Sequence, residues 1–289
     1  MIRILTDSAS DILPVEAENL GVTIVPLNVT LEDGTVIRDG LDMPLDEYYN
    51  HMTHCSKLPT TSQPSPALFE QVYREADAAG DTVVGIFLSS QLSGTYQAAQ
   101  MALDLAECSN VHLIDSETAC LAEALLVRYA VRLRDEGKTA EEIVALVEKA
   151  KKHLHLIAVI DDLKYLRKGG RLPAAVAIAG GMLGIKPLIT VRDGKVAMAG
   201  KARGLPGAYV ALFKKIDELG GIDTNQEIVT AYSATPREVE PIQTYLTRNG
   251  LPQPLVRRIG CVIGTHVGPG AFGFAFFDAM PDENEATEA

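Results

Sequence analysis

The chain has 289 residues, 47% of them hydrophobic and 22% charged, with a formal net charge of −12 and a mean hydropathy of +0.09. This length can bury a full core and favours two domains over one, and the acidic balance opposes nucleic acid as a partner. Because the longest apolar run, 176–191, is interrupted by glycines, Lys186 and Pro187, and no basic region followed by a long apolar stretch opens the chain, neither a transmembrane helix nor a secretory signal is expected and the cytoplasm is the expected compartment. The four cysteines, Cys55, Cys108, Cys120 and Cys261, have neither C-x-x-C nor metal-ligand spacing, so reduced, packed thiols are expected rather than disulfides or zinc.

In chain order, Ile2 to Leu5 predicts a strand, followed by the polar turn Thr6 to Asp11 and a helix opening near Pro14. Val22 to Leu31 predicts one strand that turns through Glu32-Asp33-Gly34 into Val36-Ile37-Arg38, since Asp-Gly between apolar runs signals a hairpin. Pro44 to Met52 reads as helix. Leu58 to Pro66 reads as a rigid polar loop, because its prolines deny a continuous ladder. A helix with Leu68, Val72, Tyr73 and Ala76 at helical spacing then leads to a buried strand, Val83 to Leu88. Ser89 to Ala99 carries that strand into a helix expected to bury Ala98, Met101, Ala102 and Leu105, with Ser93 as a cap. Val111 to Ile114 is a strand, Leu121, Leu125, Tyr129 and Leu133 mark a helix, Thr139 to Glu142 is a capping box, and His153 to Ile160 is a further strand. This alternation predicts a mostly parallel sheet with helices on both faces.

Beyond it the pattern changes to a short helix at Leu163 to Lys168, a small-residue helix at Ala174 to Leu183, and a hairpin from Ile185 to Ala199 around Arg192-Asp193-Gly194. A helix from Pro206 to Leu219, a strand from Glu227 to Ala231, a capping box at Thr235 to Glu238, and strands at Leu255 to Ile259 and Phe272 to Phe277 complete it. The fold class expected is therefore α/β with two domains. An N-terminal α/β domain, 1–160, carries a mostly parallel sheet, a C-terminal α+β domain, 161–280, carries a mixed sheet, and 281–289 is a disordered acidic tail.

Chemistry concentrates in three places. The strand-to-helix turn at Ser93-Gly94-Thr95 offers hydroxyls and helix N–H donors where ligands bind in open α/β sheets. Thr60, Thr61 and Ser62 are hydroxyls in a proline-stiffened loop, and His266 sits in what reads as a glycine-flanked loop. No H-E-x-x-H, P-loop or G-x-G-x-x-G fingerprint is present. The order Ser93, Asp115, His266 matches that of α/β-hydrolases, but Gln91 stands where G-x-S-x-G needs its first glycine. Arg167, Lys168 and Arg171, with Lys195, Lys201 and Arg203, form a small basic cluster that could dock a partner in so acidic a protein. The residues alone leave open a binding protein, a serine esterase using Ser93 and His266, and a ligand-free interaction protein.

Six segments, however, closely resemble the bacterial DegV family and recur in its order: Thr6-Asp7-Ser8, Pro59 to Ser65, Ser89 to Tyr96, Leu163 to Arg171, Gly184-Ile185-Lys186-Pro187 and Gly264 to Gly270. The resemblance implies a two-domain carrier that is not itself an enzyme and holds a palmitate-like long-chain fatty acid in a buried tunnel between its domains, without another cofactor or metal. It further implies that a separate ATP-binding kinase subunit phosphorylates the carboxylate, that an acyltransferase is a downstream partner, and that lipid exchange involves peripheral membrane contact. By motif, Thr61, Ser93 and His266 would hold the carboxylate, with Thr60, Ser62, Gly94 and Thr265 as neighbours. Ile178, Met182, Leu183, Ile185, Ile263 and Phe272 are the expected tunnel walls, and Arg171, Lys201 and Arg203 the expected docking residues for the kinase. Roughly fourteen buried CH₂ groups at about 0.8 kcal/mol each supply a gross tail contribution near 11 kcal/mol, before ordering costs.

Overall fold

The computed structural model describes residues 1–173 and 184–280. The first half contains β1 (Ile2–Asp7), α1 (Pro14–Leu20), β2 (Val22–Val25), β3 (Asn28–Thr30), β4 (Val36–Arg38), α2 (Leu45–His54), β5 (Thr60–Ser62), α3 (Pro66–Ala79), β6 (Thr82–Phe87), α4 (Thr95–Ala106), β7 (Val111–Asp115), α5 (Cys120–Asp135) and α6 (Ala140–Ala150). The second contains β8 (Leu154–Val159), α7 (Lys164–Lys168), β9 (Ile185–Arg192), β10 (Lys195–Arg203), α8 (Gly204–Glu218), β11 (Val229–Tyr232), α9 (Glu240–Arg248), β12 (Leu255–Arg258), α10 (Cys261–Val267) and β13 (Phe272–Phe277).

Two domains follow from sheet membership. The N-terminal sheet has the order β2-β1-β6-β7 and is parallel throughout. Its strands are apolar on both faces because both are covered: Ile4, Leu5, Val83, Val84, Ile86 and Phe87 are all fully buried. The C-terminal sheet has the order β10-β9-β8-β13-β11-β12 and is antiparallel except where β11 meets β12. A small antiparallel sheet, β4-β3-β5, stands beside them.

Helix α5 is the partition. It packs against β1 and β6 on one side and β8, β11 and β13 on the other, and it is accordingly buried nearly all round. The far face of the parallel sheet is covered by α3 and α4, and that of the mixed sheet by α8 and α9, where Phe272, Phe274 and Phe276 alternate inward. Among the described residues no helix is long and apolar enough to cross a membrane.

Several local expectations change. The strand expected from Val22 to Leu31 divides at Pro26, which has no N–H to donate, into β2 of the parallel sheet and β3 of the small one. Residues 60–62, expected as loop, form β5, because all three lie between Pro59 and Pro64 and are free to pair with β3. β8, expected to end the parallel sheet, pairs antiparallel with β13 and β9 instead. On α4 the buried face is Ala98, Ala99, Ala102 and Ala106, while Met101 and Leu105 are exposed, since close approach to α3 selects small side chains. The helix expected at 174–183 and the tail at 281–289 lie outside the described residues.

The expected capping box on α6 is present: the Thr139 hydroxyl accepts from Glu142 N at 3.3 Å and Glu142 Oε2 accepts from Thr139 N at 2.7 Å. Thr139→Ala is expected to cost about 1 kcal/mol, read as a lower urea midpoint at unchanged slope.

Candidate ligand-binding site

The site is built from three elements. In β5, paired through Thr61 with Val29, strand alternation turns Thr61 inward and leaves Thr60 and Ser62 exposed. Ser93 precedes α4, whose capping position is Gly94 rather than Ser93. Its hydroxyl lies 2.8 Å from Thr95 Oγ1 and accepts a longer bond, 3.3 Å, from Thr95 N. Gly94 carries no side chain because the Gln63 amide lies against it; a Cβ there would come within 1.9 Å of Gln63 Oε1.

His266 lies in the last turn of α10, a helix rather than the expected loop, because Gly264 is accommodated inside it against the Tyr49 ring. Asp11 and Asp39 hold the start of this helix, accepting from Gly260 N and Cys261 N at 2.9 Å each. Thr265, expected beside the ligand, is buried and bonds Tyr48 at 2.5 Å and the Cys261 carbonyl at 2.7 Å, so it fixes the helix. His266 Nε2 lies 2.8 Å from Thr61 Oγ1, and Nδ1 is buried without a partner among the described residues. The ring fits only because residue 169 is glycine, where a Cβ would lie 2.2 Å from Nδ1. Burial, and secondarily the Arg171 charge, push the imidazole down to about 4, so it is neutral at pH 7.

Thr61, Ser93, His266 and Arg171 all line one cavity whose remaining wall is almost entirely apolar, including Leu27, Leu88, Leu121, Ile160, Ile189, Ile259 and Val262. Its empty volume, mouth included, is about 850 Å³. Of the expected walls, Ile263 and Phe272 line it, Ile185 does not, and Ile178, Met182 and Leu183 lie outside the described residues. Arg171, expected among the docking cations, is half-buried at the cavity and donates to the Leu92 carbonyl at 2.9 Å and the Gly169 carbonyl at 2.6 Å. The motif Arg167 to Arg171 contained it, but nothing in the spacing told an inward from an outward arginine. Lys201 and Arg203 are exposed on β10, away from the cavity lining.

The hydrolase arrangement is not formed. Ser93 bonds Thr95, His266 bonds Thr61, and Asp115 Oδ1 accepts from Ser90 N and Glu117 N. Among the described residues no cluster could hold a metal ion.

A family model described as an uncharacterised protein of the DegV family matches residues 1–279. The chain belongs to the DegV family. A DegV domain-containing protein of Caldanaerobacter subterraneus is 34% identical over 276 residues, 95% of this chain and 98% of that one. Among solved structures, a DegV family protein of Thermus thermophilus described by its fatty acid binding superposes with a TM-score of 0.89 at 33% identity, covering 96% of this chain and 99% of its own. A stearic acid-binding protein of Eubacterium ventriosum superposes with a TM-score of 0.86 at 28% identity, covering 96% and 98%. The two-domain DegV fold is thus shared over nearly the whole chain.

Proposed function

We propose that this protein binds a long-chain fatty acid in the cavity, with the carboxylate at Thr61, Ser93 and His266 and the Arg171 guanidinium beside it, and presents that carboxylate to a separate ATP-dependent kinase subunit. The observation that carries the reading is the composition of the cavity wall: four hydrogen-bonding side chains in an otherwise apolar lining. That matches a ligand with one charged end and a long hydrocarbon body. The fatty acids held by related DegV proteins point the same way. A carboxylate in a partly dry site needs donors to replace water, and hydroxyls and a neutral imidazole supply them without a competing negative charge. The resemblance of motifs supports acyl phosphate as the product of the partnership, with an acyltransferase consuming it and the membrane as the place of lipid exchange.

Organic extracts of the purified protein are expected to yield close to one fatty acid per chain by mass spectrometry. An extract free of fatty acid, together with no uptake of added acid, would sink the reading. Lys201→Glu with Arg203→Glu is expected to abolish ATP-dependent acyl phosphate formation with the kinase subunit while fatty acid binding persists; unchanged turnover would remove these residues from the docking surface.

A further inference from the structure

β8 and β9 are neighbours in the mixed sheet, yet their ladder holds only where Ala158 meets Ile189 and Val159 meets Leu188. Both strands continue beyond it. β8 stays paired with β13 as far as Leu154 opposite Phe277, and β9 stays paired with β10 as far as Arg192 opposite Lys195. Each strand keeps its outer partner while the two part from one another, so the sheet is split at this end.

The split passes through the sheet. Side chains alternate between faces along a strand, and Leu156, Ala158, Ile189 and Val191 face the apolar cavity. A second, polar groove is bordered by His155 and Ile157 as well as Leu156, and by Thr190 and Arg192 as well as Val191. A groove bounded by both faces of both strands runs between them. Leu156 and Val191 belong to the groove and to the cavity alike, and the antiparallel register, continued past Ala158, sets them opposite each other. Both are half-buried, as is the small Ala158, whereas Val159, Leu188 and Ile189, on the intact ladder, are 0%, 1% and 6% exposed.

We infer that the gap between β8 and β9 is an open side port of the acyl cavity, framed by Leu156 and Val191, through which the methyl end of a chain longer than the cavity reaches solvent. This rests on the fatty acid reading above and adds to it what decides chain length. A closed pocket rejects a chain that is too long, because overpacking costs more than the added methylenes gain. An open port imposes no such limit: methylenes beyond Leu156 and Val191 enter water-filled space beside Lys152, Arg192 and Asp193, gaining little contact and meeting no wall.

The test is a binding series on the full chain with saturated acids from lauric to behenic. Affinity is expected to rise with length and then level off, with the longest acid within about threefold of the plateau. The ω-hydroxy derivative of that longest acid is expected to bind within about threefold of its parent, because its hydroxyl stays in water; a closed cavity would bury it and lose about a hundredfold. Thr190→Trp, placed on the groove side of the port, is expected to lower the ratio of behenic to lauric affinity by about tenfold or more. Collapse of wild-type affinity at a particular length, or rejection of the ω-hydroxy acid, overturns the port while leaving fatty acid binding standing. A folded Thr190→Trp protein with the wild-type profile does the same, and the two wild-type measurements decide the matter if that variant does not fold. Failure of every acid to bind overturns the port together with the reading beneath it.

Discussion

Replacing Thr61 by Val and Ser93 by Ala in one protein is expected to weaken long-chain fatty acid binding by about two to four orders of magnitude. Each hydroxyl is proposed above as a donor to the carboxylate, and a hydrogen bond to a charged group contributes about 1.5–3 kcal/mol, so losing two removes about 3–6 kcal/mol. Thr61→Val nearly preserves shape while removing the partner of His266 Nε2, so part of the loss comes from an imidazole whose two nitrogens then both lack a partner among the described residues. The tail contribution survives, which is why binding weakens rather than vanishes. Displacement of a fluorescent fatty acid measures the change, and a urea titration of the ligand-free variant separates it from unfolding. A loss under about tenfold in a folded variant would move the carboxylate elsewhere in the cavity.

The second large effect is on stability. Burial, opposed by hydrogen bonds from Leu88 N and Ala9 N, raises Asp7 to about 7. Burial and then the neighbouring Asp39 charge raise Asp11 to about 8, and burial raises Asp39 to about 6. Glu123, buried beside them, is also held well above the ordinary carboxylate range. An acid whose pKa is higher in the folded chain than in the unfolded one contributes stability at low pH that is lost as pH rises through the folded value. The three aspartates together should therefore lower the unfolding free energy by about 3 kcal/mol between pH 6.5 and 8.5, at about 1.4 kcal/mol for each unit of pKa displacement traversed.

His266, held down near 4, acts in the opposite sense. The unfolded chain takes up its proton below about 6.5, so acidification costs stability there, which offsets one of the three aspartates between about pH 5 and 6.5 and leaves the net change with rising pH a loss. Urea midpoints should fall throughout from about pH 5 to 8.5, most steeply below pH 6.5 where all three aspartates contribute. Asp39→Asn should make the decline shallower, because it removes one ionisation and the like charge that helps raise Asp11 and Asp7. A stability that is level or rising from pH 6.5 to 8.5 would contradict the protonated state of this cluster.

These carboxyls also show where the sequence was opaque. Thr6-Asp7-Ser8 looked like an ordinary polar turn, yet Asp7 accepts from Ala9 N and Leu88 N at 2.8 Å each and so ties the end of β1 to the residue before Ser89. No local pattern predicts a partner eighty residues away. What was legible followed from local physics: the strand Phe272 to Phe277, the Asp-Gly turns and the capping boxes at Thr139 and Thr235 all form. What was missed depended on neighbours distant in the chain. Thr60 to Ser62 became a strand because β3 was there to receive it, and α4 buried alanines because α3 lies close. The three motif residues do converge on one cavity, but the inward turn of Arg171 depended on carbonyls at Leu92 and Gly169 that no spacing rule could supply.

The position of β13 bears on how the molecule is made. It is the last strand among the described residues, yet it lies inside its sheet, between β8 and β11, and its ladder with β8 spans more than a hundred residues of chain. A nascent polypeptide emerging from the ribosome can assemble the parallel sheet early from neighbouring strands, but β8 and β11 must wait with their facing edges unpaired until Phe272 to Phe277 arrives. His266 lies just before that strand. The cavity, which Phe272 and Gly273 help to line, is therefore completed only once β13 has emerged, and until then the chain depends on late closure to hide its two open strand edges from other chains.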